Sequence, residues 1–331
     1  MLDLIAIGDS TLDMFLHIHD ASLACTLNKP QCLLCLEYAN KIPVEYVVRV
    51  PGAGSGSNVA VGASRLKMHA AIVSILGNDR TAEEIYERWK EEGVSEKYVQ
   101  TDRKQGTNYT AVITFKGERT QLVYHHPRSY KLPALEPTSW IYYTDLGPGH
   151  IRLEKAMLKH LMLHPNIRLA FNPGAQQLQR RLAALRPVIA RSDVFIVNKE
   201  EAEHLLQLTE ARPIPNLLMD FARFGAKNVV ITDGPNGSYA TDGRALWHCP
   251  IFPARLVERT GAGDAFTIAL INALFRGEST PDAMRAGTAN SWSVVQNIGP
   301  HAGLLTLDKL QKVLKKYAHI QARKMENNHT T

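Results

Sequence analysis

The sequence predicts an α/β fold: a central, mostly parallel sheet covered by helices on both faces, with a small β-sheet lid beside it. Three observations carry that expectation. Short apolar runs alternate with helix-patterned segments along most of the chain. Two separate stretches carry strand patterns with no helix between them. A long apolar helix near the C-terminus opens on the small-residue loop Thr260-Gly261-Ala262-Gly263-Asp264.

The apolar runs are 4–9, 70–76, 140–144, 168–172, 194–198 and 228–232, and helical patterns fall near 57–66, 81–92, 151–163, 200–208 and 216–224. Runs this short and apolar suit strands buried on both faces, which is how βαβ units build a parallel sheet. A hairpin is expected over 237–241 and 244–249, then helices over 262–276, 281–296 and 307–317. The rhythm breaks at 14–51 and 106–136, where strands are expected at 14–18, 33–38, 46–50, 109–115 and 120–124. Lys116-Gly117-Glu118-Arg119 joins the last two as a hairpin. These two insertions are expected to form the lid, over the strand ends where open α/β sheets bind ligands. Residues 1–13, 52–105 and 137–331 then form the main domain.

Composition narrows the function. A chain of 331 residues suffices for one large α/β domain or two modest ones, and 45% hydrophobic with 21% charged residues is ordinary for a soluble enzyme. Only the polar tail after Lys324 suggests disorder. No apolar run approaches the ~20 residues that span a bilayer, which argues against a membrane protein. The N-terminus lacks a basic segment and a cleavage site, so it reads as a first strand of a cytoplasmic protein. A net charge of +6 with no run of five Lys or Arg argues against a nucleic-acid partner. Cys25, Cys32, Cys35 and Cys249 read as free, mostly buried thiols. Cys32-Leu33-Leu34-Cys35 has the spacing of half a zinc site, but no second pair follows.

The motifs that carry chemistry lie at the ends of these elements. Gly261, Ala262 and Gly263 precede a helix whose N-terminal N–H groups attract anions, and Asp264 stands just inside that end as a candidate proton acceptor. The same residues could be an acidic first turn behind a flexible loop. Gly52-Ala53-Gly54-Ser55-Gly56-Ser57-Asn58 runs into the helix at 57–66, where small residues let backbone approach a polar ligand. It lacks the dinucleotide spacing, and no Walker-type phosphate loop occurs anywhere. Asp13, at the mouth of the sheet, could accept from substrate hydroxyls or cap a turn. Asn198 with Glu201 could orient phosphate and a hydrated Mg2+, or simply cap a helix. Thr232-Asp233-Gly234-Pro235-Asn236-Gly237 could be a tight turn or a nucleotide loop. His125, His126 and His301 have no metal-like partner spacing and receive no role.

Taken in order, the glycine loop with Asn58, N-x-x-E at 198–201, T-D-G at 232–234 and T-G-A-G-D at 260–264 resemble the ribokinase-like, or PfkB-type, carbohydrate kinases. The resemblance covers nearly the whole chain. It implies a three-layer α/β/α fold and ATP-dependent phosphorylation of a hydroxyl on a sugar or nucleoside. By that match Asp264 is the catalytic base and the amides of Gly261, Ala262 and Gly263 form the anion hole. Asp13, Gly54, Ser55 and Asn58 fall on substrate positions. Asn198 and Glu201 fall on the phosphate and magnesium motif, Thr232, Gly234 and Gly237 on the nucleotide loop, and Asn290 on the adenine side. The loops around Glu258 and 299–303 fall where many members bind a monovalent cation such as K+.

Two departures stand out. The usual D-T-x-G-A-G-D begins here with Glu258-Arg259, lengthening one carboxylate and adding a fixed charge. Arg259 could meet a phosphate already on the substrate or point to solvent. Asp264, near a helix N-terminus, is expected to stay ionised at pH 7. A nucleoside kinase and a non-catalytic sugar-binding regulator are the rival readings, and apolar lid strands suggest a homodimer through the lid.

Overall fold

In the computed structural model, which describes residues 1–25 and 32–325, the chain builds a nine-stranded sheet, a four-stranded sheet and two two-stranded ribbons. It opens with β1 (Leu2–Ile7), β2 (Thr11–Ile18), β3 (Ser22–Cys25), β4 (Cys32–Cys35) and β5 (Val44–Ala53). Next come α1 (Ser55–Arg65), β6 (Ala70–Val73), β7 (Ile75–Leu76), α2 (Arg80–Glu91) and β8 (Gln100–Thr101). The hairpin β9 (Asn108–Phe115) and β10 (Glu118–Tyr124) precedes β11 (Thr138–Tyr143), α3 (Ile151–Leu163) and β12 (Arg168–Phe171). The middle holds α4 (Ala175–Leu178), α5 (Leu182–Arg191), β13 (Val194–Asn198), α6 (Lys199–Leu205), α7 (Ile214–Ala222) and β14 (Asn228–Thr232). The last part is β15 (Ser238–Thr241), β16 (Leu246–Cys249), α8 (Ala262–Phe275), α9 (Thr280–Val294), α10 (Leu307–Lys316) and β17 (Arg323–Lys324).

The main sheet runs β17-β16-β15-β14-β13-β12-β11-β1-β6. The strands from β14 to β6 pair in parallel, and β15, β16 and β17 extend it antiparallel. Alternate side chains of each strand enter different cores. Leu4, Ala6, Ile72 and Tyr142 pack with α1, α8 and α9 on one face. Ile5, Ile7, Tyr143, Phe171 and Phe195 pack with α3, α5 and α7 on the other. Burial on both faces is why these strands read as continuous apolar runs.

The small sheet runs β10-β9-β2-β5. Lys116 and Gly117 both take positive φ (50° and 80°), the two-residue turn whose twist suits a hairpin. One expectation shifts here: Asp13, placed at the mouth of the sheet, is not carried by the main sheet. β1 stops at Ile7, and Asp13 lies within β2 of the small sheet, in register with Thr110 of β9 and Val50 of β5. It alternates inward with Thr11 and Phe15.

The cysteine expectation is corrected. Cys25 and Cys32 face each other in the antiparallel pair β3–β4 and form a disulfide. Leu33, between two of these cysteines, is 69% exposed because this ribbon stands apart from both cores. Cys35 and Cys249 are free. The stretch 21–38 is only partly described, and the polar tail from residue 326 lies outside the described residues. Among the described residues no helix is long and apolar enough to cross a membrane.

Candidate active site

The site grows from two helix N-termini facing each other. Gly261 takes φ 77° as the N-cap of α8, and a Cβ there would stand 2.4 Å from Pro300 Cβ, so only glycine makes this turn. Asp264 follows as the third helical residue, buried and 9% exposed. A Cβ added at Gly263 would meet nothing within 4 Å, so the loop opens onto free space at that point. Opposite, α1 begins against the end of β1: a Cβ on Gly56 would lie 2.8 Å from Gly8 Cα. That close approach delivers Asn58, whose Nδ2 donates to Asp264 Oδ2 at 2.7 Å. Asn58 Oδ1 is buried with no partner.

Burial pushes the Asp264 carboxyl above the ordinary range, against hydrogen bonds from Asn58 and Ser55 and the charge of Arg119. This reverses the sign expected from the helix end alone, because the same end is sealed from water. Asp13 behaves similarly. Burial raises it to about 6, opposed by hydrogen bonds from Thr11 and Thr110 and reinforced by the charges of Asp264 and Glu258. Thr11 Oγ1 donates to Asp13 Oδ1 at 2.6 Å.

Glu258 is 4% exposed. Its Oε1 accepts from Thr260 N at 2.6 Å and Thr260 Oγ1 at 2.5 Å, while Oε2 is buried without a partner. Arg119, brought in by the β9–β10 hairpin, stands 3.8 Å from Glu258. Arg259 pairs with Glu118 at 3.3 Å, both partly exposed, and also lines the cavity beside Ala262 and Gly263.

A cavity of about 290 Å³ extends from Gly263 and Ala262 past Thr232, Gly234 and Gly237 to Phe252 and Trp292. Its walls are largely apolar, suited to a flat ring system, with the small residues of the 232–237 loop at its rim. Two expectations change here. Asn290 does not line the cavity: it is fully buried, with Nδ2 donating to Ala265 O and Oδ1 accepting from Leu305 N. Thr288 and Ser291, on the same helix, line it instead. The Ala262 N–H donates to Arg259 O at 3.2 Å, so in this conformation it is already engaged.

Asn198 and Glu201 cap each other across the first turn of α6. Glu201 N donates to Asn198 Oδ1 at 2.8 Å, and Asn198 N to Glu201 Oε2 at 2.9 Å. The capping reading therefore holds, and one oxygen of Glu201 stays outside the box. Burial raises Glu201 to about 7, helped by the charges of Glu200 and Asp264, so it belongs to the same acidic neighbourhood.

The sequence reading missed a second buried cluster at the base of the small sheet. Asp9 Oδ2 accepts from Tyr130 Oη at 2.7 Å, Gly147 N at 2.8 Å, His125 Nδ1 at 3.0 Å and Asn108 Nδ2 at 3.1 Å. Burial disfavours charge on His125, but the hydrogen bond and charge of Asp9 outweigh it and raise its pKa. Asp145 stands 3.8 Å from His125 Nε2 and is raised by burial to about 6. His125 was visible in the sequence, but its partner Asp9 lies 116 residues away. No local spacing could have paired them.

Comparison with known proteins follows the same outline. A family model described as pfkB family carbohydrate kinase matches residues 24–307. A 5-dehydro-2-deoxygluconokinase from Geobacillus thermodenitrificans is 25% identical over 326 residues, spanning 89% of this chain and 94% of its own length. A ribokinase from Staphylococcus aureus is 24% identical over 299 residues, spanning 86% and 96%. Among solved structures, ribokinase from Thermotoga maritima superposes with a TM-score of 0.77 at 19% identity, covering 95% of this chain and 100% of that one. The nucleoside kinase of Methanocaldococcus jannaschii gives 0.75 at 19% identity, covering 96% and 99%. These show the ribokinase-like α/β fold with its small separate sheet.

Proposed function

The chain belongs to the pfkB family of carbohydrate kinases, and from that premise we propose that it moves the γ-phosphoryl of ATP to a sugar hydroxyl with Asp264 as the base. The observation that carries this reading is the pairing of Asp264 with Asn58 beside an open glycine turn and an apolar cavity. The acceptor hydroxyl attacks the γ-phosphorus, its proton passes to Asp264, and ADP leaves. Asp264 is a weak base in the ground state and becomes effective as the attacking oxygen bonds to phosphorus.

The remaining residues fit around that step. Asp13, Gly54, Ser55 and Asn58 would hold the acceptor, and the free Asn58 Oδ1 is an acceptor waiting for a hydroxyl. The N–H groups of Gly261 and Gly263 would hold the moving phosphoryl, joined by Ala262 once its bond to Arg259 is released. Thr232, Gly234 and Gly237 would border the nucleotide. An orphaned, buried carboxylate oxygen suits a cation, so Glu258 fits a K+ site. The uncapped oxygen of Glu201 fits Mg2+ held through water. Magnesium, when bound, neutralises phosphate charge. Residues 14–51 and 106–136 would close over 1–13, 52–105 and 137–331, excluding water from the reaction. Exposed Val44, Tyr46 and Val47 on β5 support pairing of two lids into a homodimer.

The acceptor is best sought among sugars, because the curated relatives include a ribokinase and a 5-dehydro-2-deoxygluconokinase. A nucleoside is the second reading, supported by the solved nucleoside kinase of the same fold. The test is ADP release with Mg2+ and K+ across ribose, fructose, fructose 6-phosphate, 5-dehydro-2-deoxygluconate, adenosine, cytidine and inosine. One acceptor giving Asp264-dependent turnover supports the kinase and names its class. Nucleotide binding with no turnover on any acceptor would favour the non-catalytic regulator.

A further inference from the structure

We propose that His17, His19 and Glu45 form a binding site for a zinc-type divalent transition-metal ion on the small sheet, apart from the phosphoryl-transfer site. These are the three groups, among the described residues, whose ligand atoms gather with the spacing of a metal centre, all within 4.8 Å of one another.

The backbone brings them together. His17 is on β2 and His19 lies just past its end, so strand alternation points them to one side. On β5, Tyr46 pairs with His17 and Val44 with Ile18, which leaves Glu45 as the extra residue of a bulge. A bulge re-aims the side chain it carries. Here it sets Glu45 Oε2 3.4 Å from His17 Nε2 and Oε1 2.5 Å from His19 Nε2. Ligands around a tetrahedral ion with bonds of about 2.0 Å stand about 3.3 Å apart, so the first distance already fits and the second needs a small side-chain turn.

The far nitrogen of the His17 ring is held from outside the cluster: Thr114 Oγ1 lies 3.0 Å from His17 Nδ1 and 3.4 Å from Leu16 O. When Nδ1 donates to that hydroxyl, the Nε2 lone pair is free to bind an ion beside the Glu45 carboxylate. Tyr46 stacks on the His17 ring at 4.7 Å and 10°, fixing its plane. A hydroxyl holding the far nitrogen of an imidazole ligand is the outer support that metal-binding histidines use.

Two imidazoles and one carboxylate suit zinc, nickel or copper and not the oxygen-seeking Mg2+ of the kinase reaction. Three protein ligands leave a coordination position for solvent. Bound there, the ion would tie β2 to the edge strand β5 across the bulge, at the sheet's outer end.

The experiment is calorimetric titration of the EDTA-treated full-length chain with Zn2+, without nucleotide, in parallel with Co2+ titration read by visible absorption. One ion per chain is expected, with Mg2+ unable to displace it. His19→Ala and Glu45→Ala, both at exposed side chains, should each weaken binding at least about tenfold, and Thr114→Val should weaken it about 10- to 100-fold. Zinc should raise the Tm of the unsubstituted chain and leave that of His19→Ala unmoved. His69→Ala, which removes an exposed histidine paired with Asp3 alone, should bind like the unsubstituted chain. Absence of one-to-one binding, or binding undiminished in both His19→Ala and Glu45→Ala, overturns the proposal.

Discussion

Asp9 and Asp264 are both buried carboxylates, one just past the end of β1 and one in the first turn of α8, and they differ in how their oxygens are used. Asp9 takes hydrogen bonds from four side-chain and backbone donors drawn from Tyr130, Gly147, His125 and Asn108. Asp264 takes one close bond from Asn58, with Ser55 in support, and follows Gly263, which lines the cavity. A saturated carboxylate joins parts of a fold, and a carboxylate short of donors beside a cavity is available for chemistry. Asp9 accordingly binds the start of β9, the segment after β10 and the loop after β11 into one knot where the small sheet leaves the large one.

Substitution sharpens the contrast, and the largest effect on stability belongs to Asp9. Asp9→Ala strands buried donors and a histidine favouring its charged form. It should cost about 3–5 kcal/mol, read as a drop in Tm by calorimetry. A Tm within a degree of the parent would show that the knot does not hold the two sheets.

Asp13→Asn should act in the opposite direction, with a pH signature. Its folded pKa of about 6 lies above the ordinary 3.8, so the native state binds the extra proton and stability declines as pH rises from about 4 through about 6. The lost stability above that window is about 3 kcal/mol. Asp13→Asn should therefore raise Tm at pH 8 and change it little at pH 4. An equal shift at both pH values would contradict the burial account.

Gly263→Ala has room for its methyl group and gains helix propensity, so stability should rise by up to about 1 kcal/mol. If the loop faces the phosphates, KM for ATP should rise at the same time. Unchanged ATP kinetics would move the anion hole elsewhere. The smallest effect concerns association. Val47→Lys on the exposed β5 edge should leave folding stability within about 0.5 kcal/mol of the parent while converting a lid-paired dimer to monomer in light scattering. A parent already monomeric removes the dimer.

Much of this was legible along the chain. Strands β1, β12, β13 and β14 read correctly because both faces are buried, and the T-G-A-G-D loop could be placed because a small-residue turn before an apolar helix is a local pattern. What escaped was non-local or locally contradictory. Helix α5 was missed because Pro187 interrupts its pattern, although Leu185, Val188 and Ile189 bury one face. Asn290 looked like a ligand residue, yet burial commits both its polar groups to joining α9 with α8 and the C-terminal loop. The pairing of Cys25 with Cys32 depends on β3–β4 register. The orphaned oxygen of Glu258 appears only when its surroundings are counted.

The central claim is that Asp264 removes the acceptor's proton and does nothing essential for the fold. Its most direct test is Asp264→Asn, assayed for turnover with the identified acceptor alongside Tm and nucleotide affinity. The account predicts a loss of about 10²- to 10⁴-fold in kcat, with ATP affinity kept and Tm no lower than the parent's. Near-normal kcat in the folded variant would contradict it.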